Sequence, residues 1–386
     1  MELLRIFAIL AVIGVHALSH GHYYAVAKDL GGSVHSSALL LRVVFRVAVD
    51  AFVIITGYFL VHGKFDLKKT LGRCRSLWVR MLFYSLVITA IFLCLGSSYW
   101  YLNGKFIPLY KGIIRAFLPV TSQPWYFLTD YLILILLSPF INTAVQKITK
   151  NQYLFLLVVL TLFMSVWFTL MHVKPFTVAF DTYGYKEMVG GKNAFHFIYI
   201  YLLGGYVGLY GKKRERPQFA FLLGAAATVL VNYFLITRLP SSLNYADVAY
   251  HYANPFVVAN AVFLLLFFKD LHFQSRLVNT LASTSMGVYA IAQFPYMRTF
   301  MWKALDFRSF GITNLFKGLL LLAAVILGVF FCFAAIDLLR EQLFRLCGKG
   351  FRRLHPKKEE LPEPDPAGEP EAPEMIEEIT TSVTSQ

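Results

Sequence analysis

Residues 5–16 read RIFAILAVIGVH, ten consecutive apolar residues or glycines held between an arginine and a histidine. This stretch reads as the interior of a membrane helix, and its two ionisable ends define a geometry. Eleven residues at 1.5 Å rise separate them by about 16 Å, and eleven steps of 100° bring them back to within about 20° of one face. Arg5 and His16 therefore line a single stripe, one at the mouth of the helix and the other more than halfway across. By composition the run does not read as a cleaved leader. It lacks a basic n-region and a small-x-small cleavage site, and His16 lies inside it.

The rest of the chain has the same character. Its 386 residues are 57% hydrophobic and 15% charged, and the mean hydropathy is +0.58. A soluble domain carries roughly 25% charged residues. The apolar residues fall in long runs separated by short polar loops. Ten runs approach the ~20 residues needed to cross the hydrocarbon core: 3–19, 39–62, 76–97, 125–145, 153–172, 194–211, 218–237, 253–269, 279–303 and 314–340. The fold expected is an all-α polytopic membrane protein of about ten transmembrane helices.

Loop charge orients it. Alternate loops hold Lys64, Lys68, Lys69, Arg73 and Arg75; Lys147 and Lys150; Lys212, Lys213, Arg214 and Arg216; and Lys269 and Arg276. The segment after the last run adds Arg345, Lys349, Arg352, Arg353, Lys357 and Lys358. By the positive-inside rule both termini lie in the cytoplasm, the location expected being multi-pass in a plasma membrane. The net charge of +14 understates this bias, because nine of the 22 acidic residues fall after Pro356. These basic loops sit beside spans, where anionic headgroups of membrane lipids account for them, and nucleic acid is a poor explanation. Residues 1–345 read as the membrane domain. Residues 346–386, basic at first and then rich in Pro and Glu, read as a disordered cytoplasmic tail.

Charged groups inside the spans carry the functional information, since each costs at least about 2.5–3.5 kcal/mol at mid-membrane without partners or water. The second run, LLLRVVFRVAVDAFVIITGYFLVH (residues 39–62), places Arg42, Arg46 and Asp50 four residues apart on one face. Arg46 and Asp50 are spaced to pair. Counted from the cytoplasmic ends of their helices, His16, Asp50 and Arg46 lie at about 20, 18 and 24 Å, so neighbouring helices would bring them to one level. A carboxylate beside an imidazole orients the ring and raises its basicity, which is how a general base is built. His16 and His20 are also four apart, but no nearby Cys or carboxylate completes a zinc site, and no metal is expected. Gly204 and Gly208 form a close-packing signature rather than a phosphate loop. Trp125, Tyr126 and Tyr131 read as interfacial aromatics on which sugar rings could also stack.

Four segments together resemble the acyltransferase-3 family: Arg5-x10-His16, VDAFVIITGYFL (49–60), PWYFLTDYLILILLSPFIN (124–142) and GVYAIAQFPYMR (287–298). That family is largely bacterial, and the resemblance runs over nearly all of residues 1–340. It implies a ten-span enzyme that moves acetyl, or another acyl group, from acyl-coenzyme A to hydroxyls of cell-surface and exported glycans. The resemblance puts catalysis on His16, Asp50 and Arg5, and the coenzyme beside Arg73, Arg75 and Arg80. Acceptor contacts are expected at Arg46, Trp125 and Tyr126. The co-substrate is acetyl-CoA or another acyl-CoA, with no permanently bound cofactor. One departure stands out. Relatives often carry a histidine soon after the Tyr-x-Ile of the ninth run, where this chain has Ala292, Gln293 and Phe294. The competing reading is a transporter or flippase of a lipid-linked glycan, which predicts an internal repeat between halves. The second half has no counterpart of R-x10-H.

Overall fold

The structure is a computed structural model that describes residues 1–354 apart from 96–100, 103–104, 107–108, 121–124, 181–189 and 213. Lys213 and the Pro/Glu-rich segment from residue 355 onward therefore lie outside the described residues. A compact unit spans Met1–Leu339, and the described residues from Arg340 onward belong to a second. Besides one two-residue antiparallel pairing, Tyr101–Leu102 with Lys105–Phe106, the described elements are helical.

Among the described residues six helices are long and apolar enough to cross a membrane: α1 (Glu2–Ser19), α5 (Leu67–Leu95), α7 (Tyr126–Lys147), α8 (Lys150–Met171), α11 (Phe219–Arg238) and α16 (Leu315–Leu354). Two shorter apolar helices, α10 (Ala194–Tyr210) and α12 (Pro255–Phe268), match two more of the expected runs. The outward faces carry Phe155, Phe163, Leu223, Leu230, Phe316 and Leu320, all exposed. Asp50, His196, Asn232, Asn260 and Gln293 are buried inside. Apolar outside and polar inside is what a lipid solvent selects. Residues 346–354, assigned to the tail by composition, continue α16 instead.

The two remaining expected runs are broken helices. Run 39–62 becomes α3 (Gly32–Phe45) and α4 (Ala48–Leu60), preceded by the short α2 (Tyr23–Leu30). Run 279–303 becomes α13 (Arg276–Ser283), α14 (Ser285–Gln293) and α15 (Pro295–Ala304). The second break has a local cause. Phe294 precedes a proline and adopts ψ 129°, because the pyrrolidine ring disfavours a helical residue before it. Two further helices, α6 (Leu109–Phe117) and α9 (Lys174–Phe180), lie in connections.

Capping fixes where the site-bearing helices begin. The Asn193 side chain accepts from the His196 backbone N–H at 2.9 Å and starts α10. Asn254 accepts from Phe256 N at 2.9 Å, with Pro255 at the first helical position of α12. Just before α10, Gly191 has φ +68°, and a Cβ there would meet Tyr252 Cβ at 2.6 Å. Glycine is required at this point, where the chain presses on the segment leading into α12.

The central packing is α10 against α4. A Cβ on Gly204 would lie 2.1 Å from the Ile54 carbonyl oxygen, and one on Gly57 would lie 2.1 Å from that of Tyr201. Gly208 approaches the Tyr58 carbonyl in the same way. The two backbones touch because the side chains that would separate them are missing, as the Gly204/Gly208 spacing predicts. Gly204→Ala should destabilise the fold by about 1–3 kcal/mol through overpacking. Gly72→Ala, at an exposed helical position with open space around it, should instead be neutral or stabilising by up to about 1 kcal/mol. Thermal unfolding in detergent checks both, and a Gly204→Ala protein melting with wild type would rule out this seam.

Candidate active site

The α4–α10 seam brings two buried ionisable residues together. Asp50, Ile54 and Tyr58 recur along one face of α4, and His196, Ile200, Gly204 and Gly208 along one face of α10. Close approach at the glycines brings His196 Nε2 to 2.9 Å from Asp50 Oδ1. Both side chains are at most 1% exposed. Asp50 also falls in the first turn of α4, where the helix N-terminus favours a carboxylate.

This corrects two expectations. Asp50 is held by His196 rather than by His16, and Arg46 does not pair with Asp50. The interruption at Arg46–Val47 separates α3 from α4, and the Arg46 guanidinium lies 4.0 Å from the centre of the Tyr252 ring. Arg46 Nε is buried without a hydrogen-bond partner.

His16 occupies a different setting, in the wall of a cavity. At the C-terminal end of α1 a space of ≈ 840 Å³ is lined by His16, His20, Arg42, Arg46, Tyr126 and Lys192, with Asp247, Tyr250, His251 and Tyr252 completing much of its wall. A smaller space of ≈ 210 Å³ shares His16, His20, Tyr126, Lys192 and Tyr252 with it and adds Tyr289, Gln293 and Arg298. The His16 and His20 rings stack with centroids 5.2 Å apart and planes 6° apart. His16 Nδ1 and Gln293 Nε2 are both buried without a partner. His16 and Gln293 thus both line the small space, and each has a buried nitrogen whose hydrogen-bonding capacity is unused.

The lining is strongly cationic. Arg42 lies 3.8 Å from the Tyr250 ring centre and 5.0 Å from that of Tyr24, and Lys192 lies 5.6 Å from that of Tyr126. His251, in the loop before α12, has its pKa held down to about 4, chiefly by burial and then by the neighbouring His172 and Arg46. It is therefore neutral at pH 7, and arginine and lysine supply the charge of its neighbours.

The expected acceptor aromatics part company. Tyr126 lines both spaces, and its hydroxyl donates to Tyr252 Oη at 3.3 Å. Trp125 does not. It is fully buried, donates its indole N–H to the Ala290 carbonyl at 3.1 Å, and packs on Phe294 at 5.3 Å. A buried indole needs an acceptor, and here that need pins the start of α7 to α14. The ring presents no face to either space.

At the opposite end of α1, Arg5 donates to both carboxylate oxygens of Glu2, at 2.8 and 2.9 Å, and lies 5.6 Å from the Phe59 ring centre at the end of α4. Arg5 and Arg73 are both felt electrostatically by Tyr131, whose hydroxyl meets Thr56 Oγ1 at 3.0 Å. Along α5, Arg73 and Arg80 share a face seven residues apart, whereas Arg75 lies some 200° around the helix from Arg73. Arg73, Arg75 and Arg80, the three expected beside the coenzyme, therefore do not share one face of α5.

The sequence reading gave no role to His196, Lys192, Gln293, Arg298, His251 or Tyr252, although Gln293 stood out as a departure from the family's pattern. His196 was findable as an ionisable residue inside an apolar run, eight residues ahead of Gly204 on the same stripe. Lys192 and Tyr252 come from loops that only tertiary contact brings to α1. The acyltransferase domain family matches the chain over residues 1–337. No curated protein and no solved structure is significantly similar to it.

Proposed function

The chain belongs to the acyltransferase-3 family, and from that premise we propose that this membrane acyltransferase is an O-acyltransferase that moves an acetyl group from acetyl-CoA to a hydroxyl of a cell-surface or exported glycan. In this reading it sits in the plasma membrane of a bacterium with ten spans and both termini in the cytoplasm. The coenzyme enters from the Arg5 and Arg73 end, where positive charge meets its phosphates. The acceptor enters the cavity at the other end of α1. The observation that carries the reading is His16, which lines that cavity with a buried nitrogen free of any partner.

The chemistry then runs through His16. Its imidazole takes the proton of the sugar hydroxyl as the sugar oxygen attacks the thioester carbonyl, and the coenzyme leaves as thiolate. Gln293, which lines the same small space and whose Nε2 has no partner, would donate to the oxygen that gains charge. The proton held by His16 returns to the leaving sulfur or to water. The long pantetheine arm would have to cover the roughly 16 Å between the two ends of the R-x10-H stripe.

The test is mass analysis of surface glycans from a strain lacking this gene and from one expressing it. Acetyl esters should disappear from one glycan in the first strain and return in the second. Unchanged acylation of every glycan, with the protein verified in the complemented membrane, would refute the reading.

A further inference from the structure

The cavity at His16 has an imbalance of charge that acyl transfer to a neutral sugar does not need. Three cations, Arg42, Arg46 and Lys192, line the large space, and Arg298 lines the small one beside it. Among the described residues none of the four takes part in an ion pair. Among the described residues Asp247 is the one carboxylate in either lining. Arg42, Arg46 and Lys192 lie instead over tyrosine rings, at 3.8, 4.0 and 5.6 Å. A ring face holds a cation in place without neutralising it. The buried, unpartnered Nε of Arg46 shows that part of its hydrogen-bonding fork is still unused.

We propose that this cavity selects an acceptor sugar that itself bears a negative charge, a carboxylate or a phosphate ester, held by Arg46 with Lys192 and Arg42 around it. The inference rests on reading the cavity as the acceptor site. Guanidinium groups suit both anions, because their planar fork matches two oxygens at once. The tyrosine faces around them supply the flat apolar surfaces on which a sugar ring packs. A cation paired with a ring rather than a carboxylate stays available to the ligand, whereas one already salt-bridged would have to exchange partners.

The experiment uses the full chain in lipid nanodiscs and saturation-transfer NMR with three small probes: glucuronic acid, glucose 1-phosphate and glucose. The two charged sugars should bind at least about tenfold more tightly than glucose, and added salt should narrow the gap. Arg46→Gln should remove most of the preference. Lys192→Gln, at an exposed position where folding is not at stake, should reduce it. Equal binding of charged and neutral sugars, or a preference unchanged in both variants, would overturn the proposal.

A fourth probe, adenosine 3′,5′-bisphosphate, represents the coenzyme's own phosphates. If it loses affinity in these variants while the charged sugars do not, the cavity's anion belongs to the donor and the proposal fails. Acetyl transfer measured on the same preparation separates this inference from the function it rests on. Transfer without charge preference sinks only the anionic acceptor, whereas charge-selective sugar binding without any transfer sinks the acyltransferase mechanism and leaves the site standing.

Discussion

His16→Ala should abolish measurable acyl transfer, a loss of about 10²–10⁴-fold for a general base alone, while leaving the protein folded and inserted. The structural reason for the second half is specific. His16 Nδ1 has no hydrogen-bond partner, so removing the ring strands no buried donor or acceptor elsewhere, and stranding one is the costly event. What is lost is a stacking contact with His20 at the edge of an existing cavity. Melting temperature and membrane abundance should therefore stay near wild type as transfer falls to background. Full transfer by a His16→Ala protein at matched abundance would return His16 to a packing role.

The second large effect falls on the Asp50–His196 pair, and it is an effect on stability. His196→Ala leaves a carboxylate at 0% exposure without its imidazole. Leaving a buried polar group without its hydrogen-bond partner costs about 1–3 kcal/mol, and more where the group is ionised. Asp50→Asn should cost less, because an amide oxygen can still accept from Nε2. Replacing both partners at once, as Asp50→Leu with His196→Phe, should recover most of the lost stability, since a well-packed apolar pair removes both desolvation penalties. Thermal unfolding of the two single variants and the double one makes the cycle. Asp50 is absent from the lining of both spaces at His16. The double variant should therefore transfer acyl groups within about tenfold of wild type, a change of some 1.4 kcal/mol in barrier. A stable but inactive double variant would put the Asp50 charge back into the chemistry.

Much of the architecture was legible from residues alone because a bilayer imposes simple rules. Apolar runs such as 76–97 and 218–237 reappear as α5 and α11, since a span must satisfy its backbone internally and so must be helical. The Gly204/Gly208 spacing foretold the close seam because missing side chains allow only one kind of contact. Arg5 and His16 share one continuous helix, α1, and helical arithmetic needs no partner to place them on one stripe.

Partnership was another matter. Spacing suggested Arg46 with Asp50 and depth suggested Asp50 with His16, yet both estimates treated run 39–62 as one straight helix. The interruption at Arg46–Val47 has no proline or glycine to announce it, and it sends Arg46 to the Tyr252 ring. Asp50 meets His196 because α10, 146 positions further along the chain, presses its glycine face on α4. Trp125 looked interfacial by type and is buried, since an indole N–H can be satisfied by a distant carbonyl as well as by headgroup water. The sequence by itself determined the helices, the R-x10-H stripe and the excess of positive charge. Tertiary structure alone decided which charges are neutralised in pairs and which stand unpaired around the cavity, because pairing depends on approaches of a few ångströms between segments that no local spacing connects.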